Sequence, residues 1–140
     1  MSEELMLALV KHLYEGRCAC PPSLVSDSMT FRDPLVLVDG REPVEAMFLK
    51  LNKLFPTTEV KSFSANSDTS HPCSWCMTVD YKRSHSGSAR TMRSILEVDY
   101  HEGEVSRLTE HWLSPVNLRG DKPNRLGKLL RKSLGHLIGR

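Results

Sequence analysis

The chain has 140 residues, 39% hydrophobic and 26% charged, the size and composition of one folded domain with its own core. No apolar run approaches the roughly 20 residues of a membrane-spanning helix, and the acidic start Met1-Ser2-Glu3-Glu4 lacks the basic head and apolar run of a secretory or transit signal, which points to the cytosol or the nucleus. The formal net charge of +2 divides unevenly, with 12 Lys and Arg against 16 Asp and Glu in residues 1–118, and 7 against Asp121 alone in residues 119–140.

Leu5, Met6, Leu9, Val10 and Leu13 recur at helical spacing, with Glu3, Glu4 and Lys11 on the other side, which predicts an amphipathic helix ending near Gly16. Pro21 and Pro22 mark a loop, and Ser23 to Ser28 reads as a short helical turn. Asp33 to Val38 reads as a brief extended piece that Asp39-Gly40 breaks. A second helix opens near Arg41-Glu42-Pro43, because proline costs no hydrogen bond in a first helical turn. Val44, Met47, Phe48, Leu51, Leu54 and Phe55 form its buried stripe, and Pro56 lies just past its end.

The period then changes to two. Glu59 to Asn66, Trp75 to Ser84, Thr91 to Tyr100 and Glu104 to Leu113 predict four strands, the last two joined by a tight turn at His101-Glu102-Gly103. Asn66 to Ser70 and Ser84 to Ser88 read as exposed loops. Helices first and strands afterwards define an α+β layer, with the helices on one face of an antiparallel sheet. In residues 121–140 the apolar positions Leu126, Leu129, Leu130, Leu134, Leu137 and Ile138 keep helical spacing among Arg125, Lys128, Arg131 and Lys132. This basic amphipathic helix either packs its leucines on the body or across a dimer, the preferred reading, or docks on an anionic membrane surface or an acidic partner.

Cys18 with Cys20, and Cys73 with Cys76, form two close pairs near His71, the raw material of a tetrahedral zinc site. Residues three apart on a strand point to opposite faces, so no metal is expected and free thiols are the favoured state. There is no Gly-rich phosphate loop, no His-Glu-x-x-His and no Gly-x-Ser-x-Gly, so no nucleotide, zinc-protease or α/β-hydrolase chemistry is indicated and no cofactor is expected. Lys82, Arg83, Arg90 and Arg93 sit at strand ends and give no specific nucleic-acid signal.

Phe31-Arg32-Asp33-Pro34, Gly40 and the final strand with Glu110-His111-Trp112 resemble the cone-shaped α+β superfamily of nuclear transport factor 2, ketosteroid isomerase and the SnoaL-like polyketide cyclases. The resemblance spans about residues 3–116. It implies a cone domain over residues 1–118, with a curved antiparallel sheet, helices on its concave side and a pocket between, followed by the basic helical extension 119–140. Many SnoaL-like sequences end the last strand in His-Trp-Asp with an inward acid. His111 and Trp112 match, but Leu113 replaces the acid, and His111 shares its parity. In ketosteroid isomerases an Asp-Pro step carries the general base, which corresponds to Asp33. Their second carboxyl falls at about Leu96 and their first-helix tyrosine near Leu9, so an oxyanion hole of that kind lacks donors, although Tyr14 lies in the same helix.

The resemblance and the residues together predict a pocket for a small, largely apolar ligand. Asp33 would act as base, His111 as acid or orienting donor, and Tyr14, Leu96, Trp112 and Leu113 would line it. Each has a plainer role open to it. Asp33 can close an Asx-type turn, His111 can be a hydrogen-bonded core or rim residue, and Trp112 can sit in the core or a dimer interface. The alternative function is a non-catalytic interaction module of the transport-factor type, with the basic segment reaching a partner. A homodimer through the outer sheet face is expected in either case.

Overall fold

A computed structural model describes residues 2–16, 23–66, 73–84 and 86–113. The basic segment 119–140, and Cys18, Cys20 and His71, lie outside these residues. Helix α1 spans Glu3–Tyr14, and Ser2 caps it by accepting a hydrogen bond from the Leu5 amide at 3.2 Å. Strand β1 follows at Val25–Arg32, β2 at Leu37–Asp39, helix α2 at Arg41–Leu54, then β3 (Glu59–Ala65), β4 (Ser74–Tyr81), β5 (Arg90–His101) and β6 (Glu104–Trp112).

These form one six-stranded sheet in the order β2-β1-β6-β5-β4-β3. All neighbours are antiparallel except β1 and β6, which run parallel with Phe31 beside Leu108. The sheet is therefore mixed, not antiparallel throughout as the strand meander suggests. The expected helical turn at Ser23 to Ser28 is also corrected. Those residues enter β1, where Val25, Met29 and Phe31 face the core and Ser26, Asp27 and Ser28 do not. The long-range pairing of β1 with both β2 and β6 decides this, and no local pattern encodes it.

Both helices lie on one face. α1 packs on α2 and β3, and α2 packs on β1 and β2. Met6, Leu9, Val10 and Leu13 of α1 and Val44, Met47, Phe48 and Leu51 of α2 are buried there. They meet Phe31, Met77, Val79, Met92, Leu96, Val98 and Leu108 from the sheet. Phe48 is the hinge of an aromatic cluster, with its ring centroid 4.8 Å from Tyr14 and 5.0 Å from Phe31.

Two backbone features set the frame. Gly40 has φ 100° and precedes α2, turning the chain between β2 and the helix, and its amide donates to the Met29 carbonyl at 2.9 Å. At the β5–β6 turn Glu102 and Gly103 have φ 53° and 83°, the left-handed pair that matches the twist of a two-residue hairpin. Just beyond that turn the β5–β6 register shifts between the Asp99 and Tyr100 pairings. Val105 and Leu108, three residues apart, both face the core as a result.

Candidate functional site

The bulge decides which side chains of β6 face the helices. After it the inward set is Leu108, Glu110 and Trp112, while Arg107, His111 and Leu113 are exposed. The expectation that His111 and Leu113 face the interior is thus reversed. His111 lies on the outer face, its Nε2 against Glu97 Oε1, with half its side chain exposed. Leu113 is 53% exposed. The inward acid of this strand is Glu110, 5% exposed.

Four elements bring polar groups to it. Tyr14, the last residue of α1, donates its hydroxyl to Glu110 Oε1 at 2.5 Å. Tyr81 closes β4 on the inward face, after Met77 and Val79 in the same alternation. Ser94 faces inward from β5, beside Trp112 in the register. Asp33 follows β1. Its Oδ1 accepts the Leu35 and Val36 amides at 2.8 and 2.9 Å, so the Asx-turn role is present, and the same residue also lines the interior.

Burial and like charge dominate the electrostatics. The Glu110 carboxyl is raised to a pKa of about 7, chiefly by desolvation and also by the Asp33 charge, while the Tyr14 hydrogen bond opposes the rise. Ser94 and Trp112 also draw it down, yet Ser94 Oγ completes no hydrogen bond and remains a buried, unpartnered hydroxyl. Burial pushes the Tyr14 and Tyr81 phenols well above their usual range, helped in both cases by Glu110. Burial likewise raises Asp33, opposed by its two backbone donors.

The cavity between sheet and helices is bounded by Tyr14, Phe48, Asp33, Tyr81, Glu110 and Trp112, among others, and encloses about 20 Å³, room for one water-sized group. Met92 lines it, whereas Leu96 is fully buried beside Glu110 in the β5–β6 register and does not. On the other side of the sheet an open groove of about 660 Å³ runs between Arg32, Pro34, Leu37, Arg107, Thr109 and His111. Asp33 and Glu110 line both spaces. Of the expected site residues, Tyr14, Asp33 and Trp112 therefore meet at the cavity, His111 faces the groove, Leu96 is core and Leu113 is surface. Glu110 and Tyr81 complete the cavity lining, with Ser94 buried beside Trp112 in the register, and none of the three is among the expected site residues. The signal that could have found them is a polar residue at an apolar position of an alternating strand. Among the described residues Cys73 and Cys76 are free and half-buried, and no group of His, Cys, Asp and Glu could hold a metal ion.

No protein-family model and no curated relative matches the chain. Solved structures do. A nuclear transport factor 2-like protein from Anabaena variabilis shares 16% identity, covers 80% of this chain and 86% of its own, and superposes with a TM-score of 0.61. A protein from Pseudomonas putida, provisionally named a polyketide cyclase, shares 15%, covers 82% and 92%, and gives 0.55. A de novo designed protein with a curved β-sheet shares 12%, covers 94% and 98%, and gives 0.58. The chain therefore has the nuclear transport factor 2-like fold, an α+β architecture whose interior here is acidic and aromatic. That a designed protein shares the architecture shows how little the fold says about activity.

Proposed function

We propose that this protein binds a small molecule inside the cone and exchanges a proton with it through Glu110, oriented by Tyr14. The observation that carries this reading is a buried carboxyl, held by the Tyr14 hydroxyl at 2.5 Å, whose pKa is raised to about 7, where a general base is both ionised and basic enough to act. An ordinary surface carboxylate is too weak a base by more than two pKa units. Proton abstraction beside a carbonyl, the class of step shared by isomerases and cyclases, suits such a group. The provisional cyclase name of the Pseudomonas putida neighbour agrees with this reading. Asp33 serves as the second carboxyl that raises Glu110, while Tyr81 and Trp112, which line the cavity, supply contacts to ligand.

A second reading, a non-catalytic scaffold, draws on one observation, the small enclosed volume of about 20 Å³. Ligand pockets of drug-sized molecules run to hundreds of cubic ångströms, so a ligand larger than its reactive tip requires Trp112 to move aside or reaches Glu110 from the mouth. We further propose a homodimer through the outer sheet face, where Leu37 and Leu113 are 56% and 53% exposed. The charge of residues 119–140 supports contact with an acidic partner or an anionic surface. Among the described residues no helix is long and apolar enough to cross a membrane.

Mass spectrometry of the purified full chain tests the leading reading. A small molecule that co-purifies with the wild type, and is lost in Glu110→Gln with the fold retained, supports it. A wild-type protein free of any small molecule, and silent to a fragment screen read on the Trp112 indole resonance, overturns it.

A further inference from the structure

The enclosed cavity admits a single water-sized group, so the body of a ligand that reaches Glu110 lies outside it. Two residues fix where. Asp33 and Glu110 line both the cavity and the open groove of about 660 Å³, a volume in the range of small-molecule sites. The groove is thus the space from which Glu110 is reached, and its own side chains select what enters.

Strand alternation and register set that selection. Alternate residues of a strand share a face, so Thr30 and Arg32 of β1 line the groove together with Arg107 and Thr109 of β6. The parallel register pairs Arg32 with Thr109 and Thr30 with Arg107, which sets the two arginines diagonally on neighbouring strands. On the other flank Leu37 stands beside Arg32 in the β1–β2 register, and with Pro34 it gives the groove an apolar wall. Most of the charged groups already have partners. Arg107 shares Asp99 at 3.8 Å, and His111 pairs with Glu97. Asp33 Oδ1 accepts two backbone amides, and Glu110 accepts the Tyr14 hydroxyl. The Arg32 guanidinium makes no ion pair or hydrogen bond among the described residues. Asp39, beside Thr30 in the register, stands one row further along the strands from Glu110 than Arg32 does, and does not neutralise it.

A guanidinium presents parallel donors that match a carboxylate. One unpaired guanidinium balances one negative charge, so a carboxylate fits where a phosphate dianion, beside Asp33 and Glu110, does not. Resting on the reading of Glu110 as the group that meets the ligand, we propose that the ligand is a small organic acid whose carboxylate is held in the groove by Arg32, with Arg107 adding to the attraction, and whose apolar part lies on Leu37 and Pro34. Arg32 is then the residue that determines specificity, and the interior receives only the ligand's reactive tip.

The experiment uses the full chain and two probes of the same shape, 3-phenylpropanoate and its neutral amide, titrated calorimetrically and by NMR at about pH 8. The carboxylate binds about tenfold or more tightly than the amide, the equivalent of a single modest ion pair, and perturbs both the Arg32 side-chain Nε–H and the Trp112 indole resonances. Arg32→Gln brings the carboxylate down to the level of the amide. Arg90→Gln, at an exposed arginine of the same sheet outside the groove, leaves the preference intact. Glu110→Gln strengthens carboxylate binding severalfold by removing a like charge, and leaves the amide unchanged. An amide that binds as tightly as the carboxylate and perturbs Trp112 overturns the carboxylate assignment and leaves the ligand site standing. A preference that survives Arg32→Gln, or is lost equally in Arg90→Gln, overturns it as surface attraction. Carboxylate binding that depends on Arg32 but is indifferent to Glu110→Gln and silent at Trp112 overturns the link between groove and interior. Arg32→Gln that lowers dimer affinity in sedimentation, with neither probe binding the wild type, assigns the groove to a second subunit and overturns the proposal.

Discussion

Replacing Tyr14 by Phe removes one hydroxyl and leaves the ring that packs on Phe48 at 4.8 Å. The hydroxyl is the hydrogen-bond donor to Glu110 at 2.5 Å, so the cost depends on the charge of the partner. Glu110 has its pKa raised from 4.5 to about 7 in the folded chain. A raised carboxyl binds its proton more tightly folded than unfolded, so its contribution is most favourable below pH 4.5 and is lost as pH rises toward 7. The difference of about 2.5 pKa units corresponds to roughly 3 kcal/mol at full ionisation, an order-of-magnitude figure. Below pH 4.5 Tyr14→Phe removes a hydrogen bond between neutral groups, costing about 1 kcal/mol. Near pH 8 it removes the donor to a buried carboxylate, costing roughly 2–3 kcal/mol. Urea denaturation of both proteins at four pH values between about 4.5 and 8 measures this directly. The stability difference should widen with pH, with its midpoint moved above 7 in the variant because the Tyr14 bond draws the pKa down. A difference that stays constant across the range refutes the argument that Tyr14 stabilises an ionising group.

Three further outcomes follow from the same structure. Glu110→Gln keeps the shape and removes the charge, so the variant should gain up to about 3 kcal/mol over the wild type at pH 8 relative to pH 4.5, seen as a flatter profile of Tm against pH. His111→Ala loses a half-exposed pairing with Glu97, worth within about 1 kcal/mol, and should leave ligand binding unchanged; a loss of binding in this variant would return His111 to the site. Gly40→Ala places a side chain at φ 100° with its Cβ 3.2 Å from Pro43 Cδ, and thermal unfolding should show a loss of about 1–3 kcal/mol.

Much of the fold was legible because it is written in local periods. The stripes of α1 and α2, the alternation of Trp75, Met77, Val79 and Tyr81, and the turn at Glu102-Gly103 all depend on neighbours in sequence. The parallel pairing of β1 with β6 was not legible, since the two strands are far apart along the chain. The site was misread for a narrower reason. Strand parity is reliable only between bulges, and the shift near Tyr100 and Val105 uncouples the two ends of β6. Anchoring the count on Leu113 as the counterpart of an inward acid put His111 inside and Glu110 outside. The polar residue among Leu108, Glu110 and Trp112 carried the opposite message. Asp33 shows the converse case, because the turn role and the interior role, posed as alternatives, belong to one side chain.

The central claim is that Glu110 is a proton-exchanging group held near neutrality inside the cone. Carbon-13 NMR of the Glu side-chain carboxyls, with Glu110 assigned by its absence in Glu110→Gln, follows that one group through a pH titration. The structure predicts an inflection at about 7, moving upward in Tyr14→Phe and shifting in the presence of ligand. An inflection in the ordinary carboxylate range near 4.5, indifferent to Tyr14, would contradict it.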